Sequence, residues 1–338
     1  MSQVSINTDD VSESLRSRSI KLDERRLLIT NYVGTQQEKD FTVPTNCNGF
    51  GRIRHFYRET AQGWPSNPLP IDPAAKALGV QSTDLLKAQV FQNASCNWRC
   101  WYCYVPFNLL SANQKHSEWL SCADLIDFYL AEAEKPVVID LSGGQPDLVP
   151  EWVPWMMQEL IGRGLAEKVY LWSDDNLSND YFWKYLTDED RQLVANYQNY
   201  GKVCCFKGFD PQSFAFNTKA APELFERQIE LLQRYVDLGI DVYGYATFTA
   251  SEKPRSESMK LFVDSLQRVH PELPLRVVPL EIRQFAPFDD RILNDSHHDA
   301  MSHQHTAINF WHEELNQRFS PKQLAQDITE VGLNRQVK

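Results

Sequence analysis

From Lys87 to Pro279 the sequence alternates between short runs rich in β-branched and aromatic residues and longer stretches whose apolar residues recur at helical spacing. The short runs predict strands at 88–92, 137–141, 168–172, 202–206, 241–248 and 275–279. Because successive strands joined by helices run parallel through right-handed crossovers, this order predicts a curved parallel sheet walled by helices. Six units do not close an eight-stranded barrel. We therefore expect an α/β fold, namely a partial (β/α)6 barrel of parallel strands.

The segments that flank this alternation have a different character. Residues 1–20 are expected to form a flexible tail. From about Arg25 to Gly79 the chain is rich in Pro, Gly and Asn, and the close prolines of Asn67-Pro-Leu-Pro-Ile-Asp-Pro73 predict an extended segment without helix. We expect residues 1–86 to form an irregular N-terminal extension that caps the core of residues 87–280. Residues 281–338 are expected to form a C-terminal helical extension, with helices near 301–318 and 321–330.

Composition excludes several classes of protein. The 338 residues carry a net charge of −11, which argues against binding to duplex nucleic acid, although Arg52, Arg54, His55 and Arg58 could form a local basic groove. A solvated charged surface is the more usual explanation of such a run. The N-terminus lacks the features of a targeting peptide, and no apolar run is long enough to span a membrane. Seven cysteines in a chain of this size do not resemble a secreted disulfide framework, so we expect a reducing cytoplasmic location.

Three of those cysteines stand in Cys96-Asn-Trp-Arg-Cys100-Trp-Tyr-Cys103, in the loop after the first predicted core strand. A loop with this spacing can ligate three irons of an iron–sulfur cube and leave the fourth iron open to a small molecule. A structural zinc site with His116 or Cys122 as fourth ligand is an alternative, but no second Cys/His pair follows at the distance of a zinc finger. A redox pair formed by Cys100 and Cys103 would leave Cys96 without a role.

Small and polar residues follow the later strands. Gly143 and Gly144 allow a ligand to approach the backbone closely, although most Gly-Gly pairs are only turns. The side chains of Trp172-Ser-Asp-Asp-Asn176 can bind ribose hydroxyls, and the same residue types are typical of turns and helix caps.

The fourth and fifth strands also end in candidate site residues. Lys207 could pair with a ligand carboxylate at the end of the fourth strand. Cys205 could donate a hydrogen atom to a substrate radical, or it could be a small core residue like its neighbour Cys204. Tyr245 lies among small residues of the fifth strand, in a pattern that ordinary alternation inside a barrel also explains.

The cysteine spacing, with Tyr102 before the last thiol, resembles that of the radical SAM superfamily. The resemblance covers about residues 88–280, and the sequence around Lys207 is closest in pattern to the activating-enzyme-like branch, although Cys205 replaces an Asp of that pattern. It implies that Cys96, Cys100 and Cys103 hold a [4Fe–4S] cluster. It also implies that S-adenosylmethionine is bound by these further residues: Tyr102, Gly143, Gly144, Gln145, Ser173, Asp175, Asn176, Lys207 and Tyr245. Gln145 stands where the family usually has Glu, so this contact lacks a charge.

The resemblance implies an enzyme that reductively cleaves S-adenosylmethionine to a 5′-deoxyadenosyl radical, which abstracts hydrogen from a substrate. The partner that it implies is an external flavodoxin- or ferredoxin-like electron donor. The substrate remains open between a small molecule, a nucleotide and a protein. The non-catalytic alternative is a zinc- or cluster-bearing module that binds a partner.

Overall fold

A computed structural model describes residues 5–39, 44–284, 291–292 and 295–333. Its strands are β1 (Ile20–Lys21), β2 (Arg26–Thr30), β3 (Gly51–Tyr57), β4 (Leu85–Gln92), β5 (Ser117–Leu120), β6 (Val138–Ser142), β7 (Tyr170–Asp175), β8 (Tyr200–Phe206), β9 (Val242–Thr247) and β10 (Val277–Leu280). Its helices are α1 (Thr8–Arg16), α2 (Gln36–Lys39), α3 (Ile71–Leu78), α4 (Cys122–Ala131), α5 (Trp152–Gly162), α6 (Tyr181–Tyr185), α7 (Asp188–Asn196), α8 (Pro211–Thr218), α9 (Leu224–Leu238), α10 (Ser256–Val269), α11 (Asp295–Arg318) and α12 (Pro321–Leu324).

The main sheet has seven strands in the order β10-β9-β8-β7-β6-β4-β3. The six strands from β4 to β10 in this sheet run parallel, and each overlaps one of the strands predicted from the sequence. Strands β6 and β9 are buried along their whole length because both faces of the sheet are covered, which explains their unbroken apolar character. The protein is thus a mixed α/β fold with a curled, mostly parallel sheet that is consistent with a partial barrel.

The two faces of this sheet pack against different partners. Alternate residues such as Leu171 and Cys204 belong to the large core formed with helices α5, α9 and α10. The residues between them, among them Trp172 and Val203, belong to a second core on the concave face. Because side chains alternate along a strand, neighbouring residues of β7 and β8 face opposite sides.

The N-terminal region is more regular than the sequence suggests. Strand β3 is antiparallel to β4 and forms an edge of the main sheet, and β1, β2 and β5 form a small second sheet. The prediction that residues 67–73 contain no helix was wrong for its last part, because α3 begins at Ile71. Pro73 lies in the first turn of α3, where a missing N–H breaks no intrahelical hydrogen bond.

Local signals set several helix ends as expected. Ser121 caps α4 in a capping box with Asp124, and Gly239 ends α9 with a φ of 85°. At the C-terminus, α11 is longer than predicted and packs on the core through Trp311, whose ring lies 5.6 Å from that of Phe248. None of the helices in the described ranges has the length and apolar character needed to cross a membrane.

Candidate functional site

The three cysteines lie together on the loop that follows β4. The loop turns tightly where the amide of Cys103 donates to the carbonyl of Cys100 at 3.0 Å, and Cys96 is fixed by a 3.0 Å bond from its amide to the carbonyl of Leu110. All three thiols are free and partly buried. Each is near enough to the others to affect their ionisation. The sequence spacing therefore does bring three thiols into one neighbourhood.

Three free thiols on one loop are a donor set that an iron–sulfur cube can use. Within the described residues, no three His, Cys, Asp or Glu side chains are arranged to hold one metal ion. A cube that binds each thiolate through a different iron does not require the sulfurs to converge on one point. Burial raises the pKa of Cys100 to about 12, so its thiol ionises only when a bound cation stabilises the thiolate.

Contacts with distant segments determine the shape of the cysteine loop. Asn97 donates to Ser12 of α1 at 2.8 Å, and the indole of Trp98 donates to Thr8 at 3.1 Å. On the other side, the Trp101 indole donates to Asn217 at 3.0 Å, and Arg291 donates to the carbonyls of Cys103 and Val105. The loop is therefore held between α1, α8 and the C-terminal segment.

The Gly-Gly turn after β6 lies directly against the cysteine loop. Gly143 and Gly144 have φ values of 68° and 92°, which other residues rarely adopt. A Cβ on Gly144 would lie 2.3 Å from the carbonyl oxygen of Asn93 and 2.7 Å from that of Ser95. The next amide, that of Gln145, donates to the Ser95 carbonyl at 2.7 Å. Glycine is thus required here for packing of the two strand-end loops, whatever else the turn binds.

The side chain of Gln145 is engaged within the protein. Its Nε2 donates to Asp175 at 2.7 Å, and its Oε1 accepts the amide of Asn176 at 2.9 Å. The Nδ2 of Asn176 lies 3.8 Å from the sulfur of Cys96, while its Oδ1 is buried without a partner among the described residues. Gln145 therefore places Asn176 beside the cysteine loop, and both polar atoms of its side chain already make a hydrogen bond within the protein.

Strand β7 divides the predicted ribose-binding residues between the two faces of the sheet. Ser173 bonds the hydroxyl of Tyr200 at 2.8 Å on the helix side, and Asp175 is fully buried on that side as well. Asp174 instead faces the concave side, where it accepts a 2.5 Å hydrogen bond from Ser142 and is partly exposed. The sequence motif did not reveal this division, because it depends on the phase of side-chain alternation.

Asp175 is part of a buried polar group on the helix side of the sheet, which we call the helix-side cluster: Asp147, Asp175, Lys202 and Tyr235. The ammonium of Lys202 lies 2.9 Å from both oxygens of Asp147, and the hydroxyl of Tyr235 lies 2.6 Å from Asp147 and 2.9 Å from Asp175. All four side chains are at most 1% exposed.

Burial and neighbouring charges explain the ionisation of the helix-side cluster. Burial together with the neighbouring Asp175 charge raises the pKa of Asp147 to about 7, and this outweighs the opposite effects of Lys202 and the Tyr235 hydroxyl. Burial acts in the same direction on Asp175, but Lys202 and the hydrogen bond from Gln145 outweigh it and lower its pKa. The ionised Asp175 is thereby kept as the acceptor that positions Gln145.

The other predicted site residues reach the concave side near the cysteine loop. Lys207 is partly exposed, and it interacts electrostatically with Cys205, Tyr102, Cys100 and Asp174. The hydroxyl of Tyr102 donates to Thr247 at 3.2 Å, and that of Tyr245 lies 3.0 Å from the side-chain oxygen of Asn67. These residues extend from the thiols across the ends of β8 and β9.

A second polar group on the concave side was not singled out by the sequence as a site. We call it the concave-side cluster: Arg54, Asp140, Asp174 and Cys205. Arg54 of β3 donates to Asp140 of β6 at 3.3 Å, and it also interacts electrostatically with Asp174. Cys205 is affected by Arg54 and Asp174, and burial raises its pKa to about 12, so the thiol stays protonated. The Arg-rich run at 52–58 was the available signal, but it was interpreted mainly as a solvated surface.

No family model matches the sequence, and no curated protein matches it. Streptococcus suis SuiB bound to S-adenosylmethionine is a similar solved structure, with 15% identity and a TM-score of 0.38 over 52% of this chain and 36% of SuiB. SuiB bound to the precursor peptide SuiA gives 15% identity and a TM-score of 0.38 over 53% of this chain and 36% of SuiB. Native anSMEcpe with bound AdoMet has 13% identity and a TM-score of 0.35 over 55% of this chain and 49% of anSMEcpe. The chain thus spans less than half the length of these proteins, and the likeness extends over about half of the chain.

Proposed function

We propose that this protein is a radical S-adenosylmethionine enzyme. The observation that carries the proposal is the loop after β4, in which Cys96, Cys100 and Cys103 are free, mutually close and next to the Gly-Gly turn at the carboxyl ends of parallel strands. Ligands of open parallel sheets bind at this edge. A [4Fe–4S] cluster with bound S-adenosylmethionine would supply a 5′-deoxyadenosyl radical, formed with an electron from a flavodoxin- or ferredoxin-like donor.

The roles of the chain's own residues follow from their positions. Cys96, Cys100 and Cys103 would ligate the cluster, and Tyr102, Gly143, Gly144, Asn176, Lys207 and Tyr245 would surround the cosubstrate. Lys207 offers an ammonium for its carboxylate, since this side chain makes no direct hydrogen bond within the described residues. Gln145, Ser173 and Asp175 would act through the neighbours that they hold, because their polar side-chain atoms are engaged in the protein.

The proposal includes a role for Cys205 as a hydrogen-atom donor. The thiol is partly exposed on the concave side and remains protonated at neutral pH. When a substrate radical takes this hydrogen, the S–H bond breaks homolytically, a C–H bond forms and a thiyl radical remains. One electron from the external donor and one proton from water then restore the thiol.

We further propose that the units of the chain keep the boundaries inferred from the sequence. Residues 87–280 would form the (β/α)6 core, with 1–86 and 281–338 as extensions that restrict access to it in a reducing cytoplasm. Contacts of α1 and Arg291 with the cysteine loop support this view, since both extensions reach the proposed cofactor site. Enclosure suits radical chemistry because it excludes water and side reactions.

Metal analysis and an activity assay under anaerobic conditions test the function. We expect about four irons with matching sulfide per chain, and 5′-deoxyadenosine on incubation with S-adenosylmethionine and dithionite. The Cys100→Ala variant should lose iron and product, whereas Cys122→Ala, which removes a buried thiol of α4, should keep both. One zinc per chain without iron would support the non-catalytic binding module instead. Undiminished product in Cys100→Ala would also contradict the proposal.

A further inference from the structure

The concave-side cluster contains a cation that the protein leaves incompletely paired. The Nη1 of Arg54 lies 3.3 Å from Asp140, and this is its hydrogen bond to the described part of the chain. The guanidinium has five N–H donors in a fixed planar fork, so a single long contact leaves most of them available. The Arg54 side chain is 31% exposed, whereas that of Asp140 is 0% exposed. A molecule that reaches this pair can therefore contact the Arg54 side chain but not that of Asp140.

The position of this guanidinium is fixed. Strand β3 places Arg54 opposite Ala88 of β4, and the guanidinium lies over the ring of Phe56 at 4.2 Å. Asp140 restrains it from the other side, and the second carboxylate oxygen of Asp140 is buried without a hydrogen-bond donor among the described residues. A cation that is held in place before a ligand arrives loses little conformational freedom when the ligand binds.

The charge around Arg54 favours an anion. Among the described residues, the guanidiniums of Arg52 and Arg54 act on Asp140, and the ammonium of Lys207 interacts with Asp174, in a chain of net charge −11. Burial and the neighbouring Asp174 raise the pKa of Asp140 to about 8, which leaves the Arg54 charge less compensated at neutral pH.

The surroundings limit the size of the ligand. The hydroxyl of Tyr245, which also interacts with Arg54, lies 3.0 Å from Asn67 and 3.1 Å from the carbonyl of Leu69. The segment from Asn67 to Leu69 therefore covers part of the concave side. The rings of Phe56 and Tyr245 and the side chain of Cys205 belong to the same packed group on this side.

We propose that Arg54 binds the carboxylate of a small-molecule substrate on the concave side of the sheet, with Asp140 and Phe56 as the residues that orient its guanidinium. This proposal rests on the function proposed above, because the bound molecule is a substrate only if the protein is an enzyme. It assigns a carboxylate-bearing molecule, since the planar fork of Arg matches a carboxylate in a bidentate manner. The rest of the molecule would extend towards Cys205, whose thiol shares this space.

Binding of benzoate, compared with its neutral counterpart benzamide, tests this site directly. Ligand-observed NMR titrations use the anaerobic holoprotein with S-adenosylmethionine bound, so that the cosubstrate already occupies Lys207. We expect wild type to bind benzoate at least about tenfold more tightly than benzamide. Arg54→Gln should remove this preference, and Arg54→Lys should retain part of it, because an ammonium carries the charge without the fork.

Two further variants sharpen the result. Asp140→Asn cannot ionise, so at pH 9, above the pKa of Asp140, benzoate affinity should be severalfold higher in this variant than in wild type. Arg283→Gln removes an exposed guanidinium elsewhere on the chain and should change nothing. Equal binding of benzoate and benzamide by wild type, or a benzoate preference that survives in Arg54→Gln, would overturn the proposal. Weaker benzoate binding in Asp140→Asn than in wild type at pH 9 would also overturn it.

Other arms separate the remaining possibilities. A capped pentapeptide with a central Glu that binds as tightly as benzoate and also depends on Arg54 would replace the small molecule by a peptide carboxylate. If benzylamine binds more tightly than benzoate, the site binds a cation through Asp140 and Asp174 instead. If wild type forms no 5′-deoxyadenosine, the proposed function is wrong. If the same preparation still prefers benzoate in an Arg54-dependent manner, the anion site is nevertheless supported.

Discussion

The sheet carries one group of charged residues on each face, and the two groups are built differently. In the helix-side cluster the Lys202 ammonium contacts both oxygens of Asp147, and both carboxylates have further partners. In the concave-side cluster Arg54 makes a single hydrogen bond, of 3.3 Å, within the described residues and keeps nearly a third of its side chain exposed. Both groups combine a cation with two carboxylates. They therefore differ in how fully these charges are hydrogen-bonded and in how exposed they are, rather than in residue type.

This difference separates structural from binding roles. A buried charge is tolerated only when its partners replace water, and the helix-side cluster meets that requirement with groups from β7, β8 and α9. It can therefore hold the loops of Gln145 and Asn176 but has little capacity for a ligand. The concave-side cluster has unused hydrogen-bonding capacity at a place open to a molecule, which is what a binding site requires.

The largest expected contrast is in the stability of two Met variants. Lys202→Met leaves Asp147 and Asp175 buried without their cation and should lower the free energy of unfolding by about 3–5 kcal/mol. Arg54→Met removes a partly exposed charge and should cost less than about 1 kcal/mol. Urea unfolding followed by circular dichroism measures both. Equal losses in the two variants would mean that the clusters have the same structural role.

The second contrast concerns pH. Burial raises the pKa of Asp147 to about 7 and that of Asp140 to about 8, from an ordinary value of 3.8. The folded state then binds these protons more tightly than the unfolded state, so stability is present at low pH and is lost as pH rises from about 4 towards 8. Each group should contribute a slope of up to about 1.4 kcal/mol per pH unit below its own pKa.

Asn variants measure how much each cluster contributes to this pH dependence of stability. Asp147→Asn should flatten the dependence below about pH 7, and Asp140→Asn should flatten it up to about pH 8. Asp188→Asn, a change at an exposed residue of α7, serves as the control. Unfolding at pH 5, 6, 7 and 8 gives the slopes. A wild-type stability that increases across this range would contradict the assigned burial effects.

The smallest contrast uses the adjacent thiols of β8, which face opposite sides. Cys204 is 0% exposed in the helix-side core, so Cys204→Ser buries a hydroxyl there and should cost about 1–3 kcal/mol. Cys205→Ser should change stability by less than about 0.5 kcal/mol, since the site is polar and partly open. Cys205→Ser should nevertheless abolish hydrogen return to the substrate, because a hydroxyl O–H is a much poorer hydrogen-atom donor than a thiol. Substrate turnover at an undiminished rate in Cys205→Ser would exclude that role.

The sequence revealed the parts of this fold that depend on local pattern. The strands of the core were visible as short runs bounded by amphipathic helices, and the cap at Ser121 was visible as a motif. Strand β3 was missed because Gly51-Arg-Ile-Arg-His-Phe-Tyr57 has charges where a buried strand would be apolar. Those charges are the side chains that enter the concave side, so the feature that hid the strand is the one that creates the proposed binding site.

The part of the candidate site that lies on one continuous segment, the cysteine loop, could be predicted from the sequence. The cysteine spacing is local, so the neighbourhood of the three thiols followed from it. The cysteine spacing does not predict that Asp174 and Asp175 face opposite sides of the sheet. Which of them faces the concave side depends on which residues of β7 point to each face. The pairing of Arg54 with Asp140 joins residues 86 positions apart, and no spacing rule connects them.

The contacts that hold the cysteine loop impose an order on the biosynthesis of the protein. Thr8 and Ser12 are made before the loop, but Arg291 is made long after it, 188 residues beyond Cys103. While the ribosome is still translating the intervening residues, the nascent loop lacks one of its anchors. The loop therefore reaches its final shape, and with it the setting of all three thiols, only after Arg291 has been translated.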